Sequence, residues 1–200
     1  MEKGILGLGG AALGVFEELG CEVEPVKPPF SREALWESWS TLRSWAVATS
    51  LAPIMADKAT RGQLKEDAIW EVERGLALSM LQIEAASKTR SDWFRTAADL
   101  FEDYDALVLP TAQVWPFQVA WSAPNEINGQ EMDTYHRWME VVIPASLIGL
   151  PALAIPAGFG KNSLPMGVQL IGRHGDDAGM LLLAEAYHQA TRWPEVRRPA

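Results

Sequence analysis

Residues 143–159 read IPASLIGLPALAIPAGF and, past the short connection GKNS, residues 164–172 read LPMGVQLIG. Pro144, Pro151 and Pro156 each fix φ and remove an amide donor, so no helix runs through this stretch into ALAI. Gly149 and Gly158 permit turns that need positive φ or a close backbone approach. Leu153 and Ile155, then Val168, Leu170 and Ile171, supply the apolar faces of two sheet strands. The pair is close in sequence and joined by a Gly-Pro-rich loop, so a strand-loop-strand unit is expected.

Outward from this unit, YDALVLPTA (104–112) reads as a short buried strand stopped by Pro110. A loop rich in Trp, Pro and Asn follows through Gly129, and then a helix is expected from about Glu131 to Val142. A last helix runs from Asp177 to about Thr191, with Asp176 or Asp177 as its cap. Upstream, GLGGAALGVFEELG (7–20) reads as a helix stopped by Gly20. CEVEPV then alternates as a short edge strand, with Val23 and Val26 near the core and Pro25 marking its end. Ser31 is a suitable N-cap for a helix from Ala34 to about Met55. A polar break, DKATRGQLKED, leads to a second helical region from about Ala68 to Phe101, as two helices or one broken near Ser87. The expected fold class is α/β, a mixed β-sheet flanked by helices. One domain over 1–200 is expected, with 1–103 mostly helical plus one short strand and 104–200 forming the sheet portion.

Hydrophobic residues make up 48% of the 200-residue chain and charged residues 22%, a globular balance. The net charge of −9 opposes a nucleic-acid footprint, which needs clustered Lys and Arg. No apolar run approaches the roughly 20 residues that span a bilayer, and the amino end lacks the pattern of a secretory signal. Cys21 is the one cysteine, so no internal disulfide forms and a reducing cytoplasm is the expected location. It reads as a small residue packed at a strand entrance.

Gly7, Gly9 and Ala12 fit G-x-G-x-x-A, but a dinucleotide turn needs a buried strand before its first glycine, and only Ile5 and Leu6 are strongly apolar there. No serine sits in G-x-S-x-G. Ser146 lies downstream of Asp133 and His136, yet these two fall on one expected helix, and a Ser146 bonded within its own turn is the simpler reading. His174 and His188 have no partners at zinc-ligand spacing, so no metal and no cofactor are expected. Glu102, Asp103 and Asp105 read as a solvated helix end. Most of the nine tryptophans, such as Trp36, Trp39 and Trp70, fall at helical spacing and read as core.

Where composition ends, the segments quoted above become distinctive together. The stretch 143–172, followed by Asp176 or Asp177 and LLLAEAYHQA, resembles the carboxyl-terminal signature of the amidase signature family. YDALVLPTA resembles the element that precedes it in those enzymes, and the Leu-Gly helix end with EVEPV resembles a helix-strand unit beyond their catalytic core. Ser146 stands where many relatives carry Asn.

The resemblance implies an incomplete amidase-signature-type fold and hydrolysis, or transfer, of the carbon-nitrogen bond of small carboxamides. Family members use a serine nucleophile, a second serine in a cis peptide, and a lysine, the serines lying in a Gly-Gly-Ser-Ser-Gly-Gly-like loop. This sequence has no such loop, and none of Lys3, Lys27, Lys58, Lys65, Lys88 or Lys161 sits in the family's lysine context. No catalytic residue is therefore assigned. The resemblance does imply that the helix before IPASLIGLP faces substrate, with Trp138 and Met139 lining the acyl pocket and Tyr135 behind them. It also implies a small amide substrate, and either a homodimer or a chain supplying the amino-terminal part as partner. The alternatives are a non-catalytic binding module of amidase ancestry and a free-standing hydrolase using Ser146 or Cys21.

Overall fold

The structure, a computed structural model, describes residues 1–161 and 163–197. In chain order its elements are α1 (Ile5–Glu18), α2 (Arg32–Ala56), α3 (Lys58–Arg61), α4 (Glu66–Leu76), α5 (Met80–Asp103), β1 (Ala106–Pro110), β2 (Glu126–Ile127) and β3 (Gln130–Glu131). A 3₁₀ helix (Arg137–Val142) follows, then α6 (Ile143–Ser146), β4 (Ala152–Phe159), β5 (Pro165–Gly172), α7 (Asp177–Thr191) and α8 (Trp193–Val196). The chain divides into two compact units, residues 1–27 with 97–200, and residues 28–96.

The first unit is built on a three-stranded sheet of order β1-β5-β4. The expected strand-loop-strand unit is the antiparallel β4–β5 ribbon, with Leu153 opposite Leu170 and Ile155 opposite Val168. β1 pairs antiparallel with the other edge of β5, Val108 facing Leu170. The helix-separated strands β1 and β4 run the same way, as an α/β reading requires, but β5 lies between them and every pairing is antiparallel. Side chains alternate across the sheet. Val108, Leu153, Ile155, Val168 and Leu170 form one face and pack with Phe16 of α1 and Met180, Ala184 and Tyr187 of α7. Leu107, Leu109 and Ile171 form the other and pack with Phe101, Ala145 and Leu150. Because both faces of β5 are covered, it reads as a nearly continuous apolar run, broken by the buried polar residue Gln169.

The turn chemistry of the decisive stretch follows its prolines and glycines. Pro144 sits in the first turn of α6, where its missing donor is not needed. Gly149 takes φ 66°, which lets the Leu150 amide reach back to the Ala145 carbonyl at 3.1 Å and close the helix. α1 ends the same way: Gly20 has φ 93° and the Cys21 amide bonds to the Phe16 carbonyl at 3.0 Å. Asp176 caps α7 by accepting from the Gly179 amide at 3.1 Å. Gly7, Gly9 and Gly10 lie inside α1, so no phosphate-cradling turn forms there.

Two expectations in this unit are corrected. CEVEPV is no strand: Pro25 offers no amide, Cys21 spends its amide on the helix end, and only the alternation survives, Cys21 and Val23 half-buried against the core and Glu22 and Glu24 exposed. Residues 131–142 are not one helix either. Asn128 and Gly129 both take positive φ (51° and 80°), which folds β2 and β3 into a hairpin, Ile127 opposite Gln130. The Met132 amide extends that ribbon to the Asn125 carbonyl (2.8 Å), so helical geometry begins only at Arg137.

The second unit is helical. Ser31 caps α2 by accepting from the Ala34 amide at 3.2 Å. α2 and α4 meet along small and polar residues, with Ser40, Thr41, Ser44 and Glu71 buried, while the buried Ser38 of α2 donates to the Ala86 carbonyl of α5 at 2.7 Å. Arg43 grips the Glu71 carboxylate with two hydrogen bonds, of 2.7 and 3.2 Å. The helical break falls at 77–79 rather than near Ser87, because Ser79 starts a new helix. Its Oγ accepts from the Gln82 amide at 3.3 Å, while Gln82 Oε1 accepts from the Ser79 amide at 2.9 Å, a reciprocal capping box. Among the tryptophans read as core, Trp36 is buried and Trp39 half-buried, but Trp70 is 42% exposed. The Arg74 guanidinium lies over its ring at 5.7 Å.

Candidate functional site

β1 ends at Pro110, and Thr111 continues its contact with β5 by donating both its amide (3.1 Å) and its hydroxyl (3.0 Å) to the Gly167 carbonyl. The chain then leaves the sheet as a loop, 112–125, that returns to cover the 3₁₀ helix. This segment brings the aromatic residues together. Phe117 meets the Trp138 ring edge-on at 5.5 Å and stacks on Trp121 at 6.4 Å.

Tyr135, Trp138 and Met139, the residues assigned to substrate, fall within five positions but in two settings. Trp138 and Met139 stand half-buried on the 3₁₀ helix. Tyr135 occupies the turn before it, 39% exposed, its ring against that of His136 at 5.1 Å. Trp138 Nε1 and Thr134 Oγ1 are buried and have no hydrogen-bond partner among the described residues. A buried donor left without an acceptor costs about 1–3 kcal/mol. On the same 3₁₀ helix the half-buried Arg137 pairs with the buried Glu140 at 3.4 Å.

The hydroxyl reading of Ser146 takes its simpler form. Ser146 is exposed and its Oγ donates to the Ile143 carbonyl, one turn back, at 3.3 Å. His136 is buried in a turn and Asp133 exposed in a bend. Cys21 is half-buried against the sheet core. His188 pairs with Glu195 at 3.4 Å. Among the described residues no group of three or more His, Cys, Asp or Glu is placed to hold a metal ion, and no helix is long and apolar enough to cross a membrane.

Two further residues hold the 3₁₀ helix. Gln113 Oε1 accepts from the Val141 amide at 2.9 Å. Gln169 Nε2 donates to the Val141 carbonyl at 3.2 Å and to the Pro110 carbonyl at 2.9 Å. The signal for Gln169 was a lone polar residue inside MGVQLIG, and for Gln113 its place just after the strand end. Nothing local in the sequence pairs either with residue 141.

The family model described as Amidase matches residues 9–181. A glutamyl-tRNA(Gln) amidotransferase subunit of Bacillus thuringiensis is 28% identical over 90% of this chain and 40% of its own length, and its Bacillus cereus counterpart matches equally. In fold, the chain resembles a bacterial aryl acylamidase of the amidase signature enzymes, with a TM-score of 0.86 and 24% identity over all of this chain and 44% of that one. It also resembles a 6-aminohexanoate cyclic dimer hydrolase, with a TM-score of 0.75 and 20% identity over 96% of this chain and 42% of that one. The chain spans about 40% of the length of the curated relatives it matches. The match runs from α1 through both compact units and the β4–β5 ribbon into the start of α7, and the chain belongs to the amidase family.

Proposed function

We propose that this chain is the carboxyl-terminal part of an amide-cleaving or amide-transferring enzyme. It forms one wall of the acyl pocket through Trp138 and Met139, with Tyr135 behind them, and it takes the nucleophilic serine and lysine from a partner. The partner is a polypeptide carrying the family's amino-terminal part, and the substrate is a small carboxamide. The observation that carries the reading is the Phe117–Trp138 surface, whose buried indole N–H lacks an acceptor among the described residues. An aromatic wall with one unmet donor suits an acyl group: the hydrocarbon part packs on the rings and an oxygen accepts the hydrogen bond. The sheet supports the same reading. β1 and β4 each have one hydrogen-bonded neighbour among the described residues, leaving edges that a partner's strands can extend.

The test is ammonia release from a panel of aliphatic and aromatic carboxamides. The purified chain alone gives none. Assembled with an amino-terminal amidase segment that carries the serine loop and lysine, it gives turnover. Turnover by the chain alone, abolished by Ser146→Ala, would make it a free-standing hydrolase. A stable assembly without turnover would make it a binding module.

A further inference from the structure

We infer that Gln113 and Gln169 are positioning residues for the substrate wall: together they clamp both backbone polar groups of Val141 and so set where Trp138 and Met139 stand. The inference rests on the placement of the wall proposed above. The two side chains come from different elements, Gln113 from the loop after β1 and Gln169 from the middle of β5. They converge on one residue of the 3₁₀ helix, three positions beyond Trp138 and two beyond Met139.

A 3₁₀ turn has poor hydrogen-bond geometry and little hold on its own orientation. Side-chain amides anchored in the sheet and its adjoining loop supply what the helix lacks. Gln169 is 5% exposed in the central strand, on the same side of the sheet as Ile171, and its amide also holds the end of β1. A buried amide in that place is tolerated because its donors are used. One amide thus ties the last residue of β1 to the 3₁₀ helix, and the second closes the clamp on the N–H of the same residue.

The polarity of each amide is fixed by what it faces. Gln169 Nε2 faces two carbonyl oxygens and must donate; Gln113 Oε1 faces an N–H and must accept. This gives opposite rules for substitution. A carboxylate at 113 keeps the acceptor, whereas a carboxylate at 169 loses both donations and sets negative charge against two carbonyls.

The experiment compares Gln113→Met, Gln113→Glu and Gln169→Met in the full chain by hydrogen–deuterium exchange, and in the assembled enzyme by steady-state kinetics. Gln113→Met should speed exchange over residues 137–142 by about tenfold, the equivalent of one hydrogen bond, and raise KM by a similar factor with kcat nearly constant. Gln113→Glu should restore both. Gln169→Met should speed exchange at the same segment at least as much, having lost two bonds. Equal damage from Gln113→Glu and Gln113→Met would reduce Gln113 to a packing role, and unchanged exchange in Gln113→Met would remove the clamp. The exchange data stand whether or not the assembly turns over, so an inactive wild-type assembly would overturn the functional reading while leaving the clamp to be judged by its own measurement.

Discussion

A β-carbon built on Gly75 of α4 falls 2.1 Å from the backbone carbonyl oxygen of Ser44 in α2, and 2.6 Å from the Ala48 side chain. The two helices therefore touch backbone to backbone, which only glycine at 75 allows. Gly75→Ala gains up to about 1 kcal/mol of helix propensity. It meets a carbonyl that cannot rotate aside, and overpacking costs about 1–3 kcal/mol. Steric cost wins. The variant should be destabilised by about 1–2 kcal/mol in the 28–96 unit, read by urea unfolding or by exchange protection of α2 and α4.

Ser79 is the second point of leverage in that unit. Ser79→Ala removes the hydroxyl that accepts from the Gln82 amide and should cost about 1 kcal/mol. Ser79→Asp keeps an acceptor and should restore the loss. Exchange at the first turn of α5 reads both.

Tyr187 is buried under the sheet, where it stacks on Phe16 at 4.9 Å and donates to the Pro156 carbonyl at 3.0 Å. Burial raises its hydroxyl above the ordinary tyrosine range. The fold thus favours the neutral form, and that contribution is complete below about pH 10 and lost as pH rises through the raised value. Unfolding free energy should fall on the alkaline side, and Tyr187→Phe should flatten that fall. The same variant should lose about 1 kcal/mol at neutral pH through the Pro156 bond.

Trp138→Ala in the assembled enzyme should raise KM for aromatic carboxamides about tenfold or more, because an aromatic contact and an indole donor are lost together. Trp138→Phe should recover the packing share alone. Equal kinetics in all three proteins would remove Trp138 from the wall.

The parts of the fold legible in the sequence were those set by strictly local rules. Pro144, Pro151 and Gly149 punctuate the decisive stretch, and Ser31 and Asp176 cap helices, because each acts within one turn of its own position. Ser79 with Gln82, and Asn128 with Gly129, obey rules just as local, but they sit in or beside segments whose apolar pattern suggests continuous helix. Their turn chemistry outweighs that pattern. Gln113, Gln169 and Phe117 were beyond reach for another reason: their partners, Val141 and Trp138, lie 21 to 28 positions away and meet them only through the tertiary fold. Trp70 shows the limit of helical spacing, which places a residue on a face without saying what covers that face.

The proposed division of labour gives this chain the substrate wall and the amino-terminal partner the nucleophile. Intact mass spectrometry after exposure to a serine-reactive fluorophosphonate tests it most directly. The chain alone should keep its mass, and in the assembled enzyme the adduct should appear on the partner only. An adduct on Ser146, or on any other residue of this chain, would contradict it.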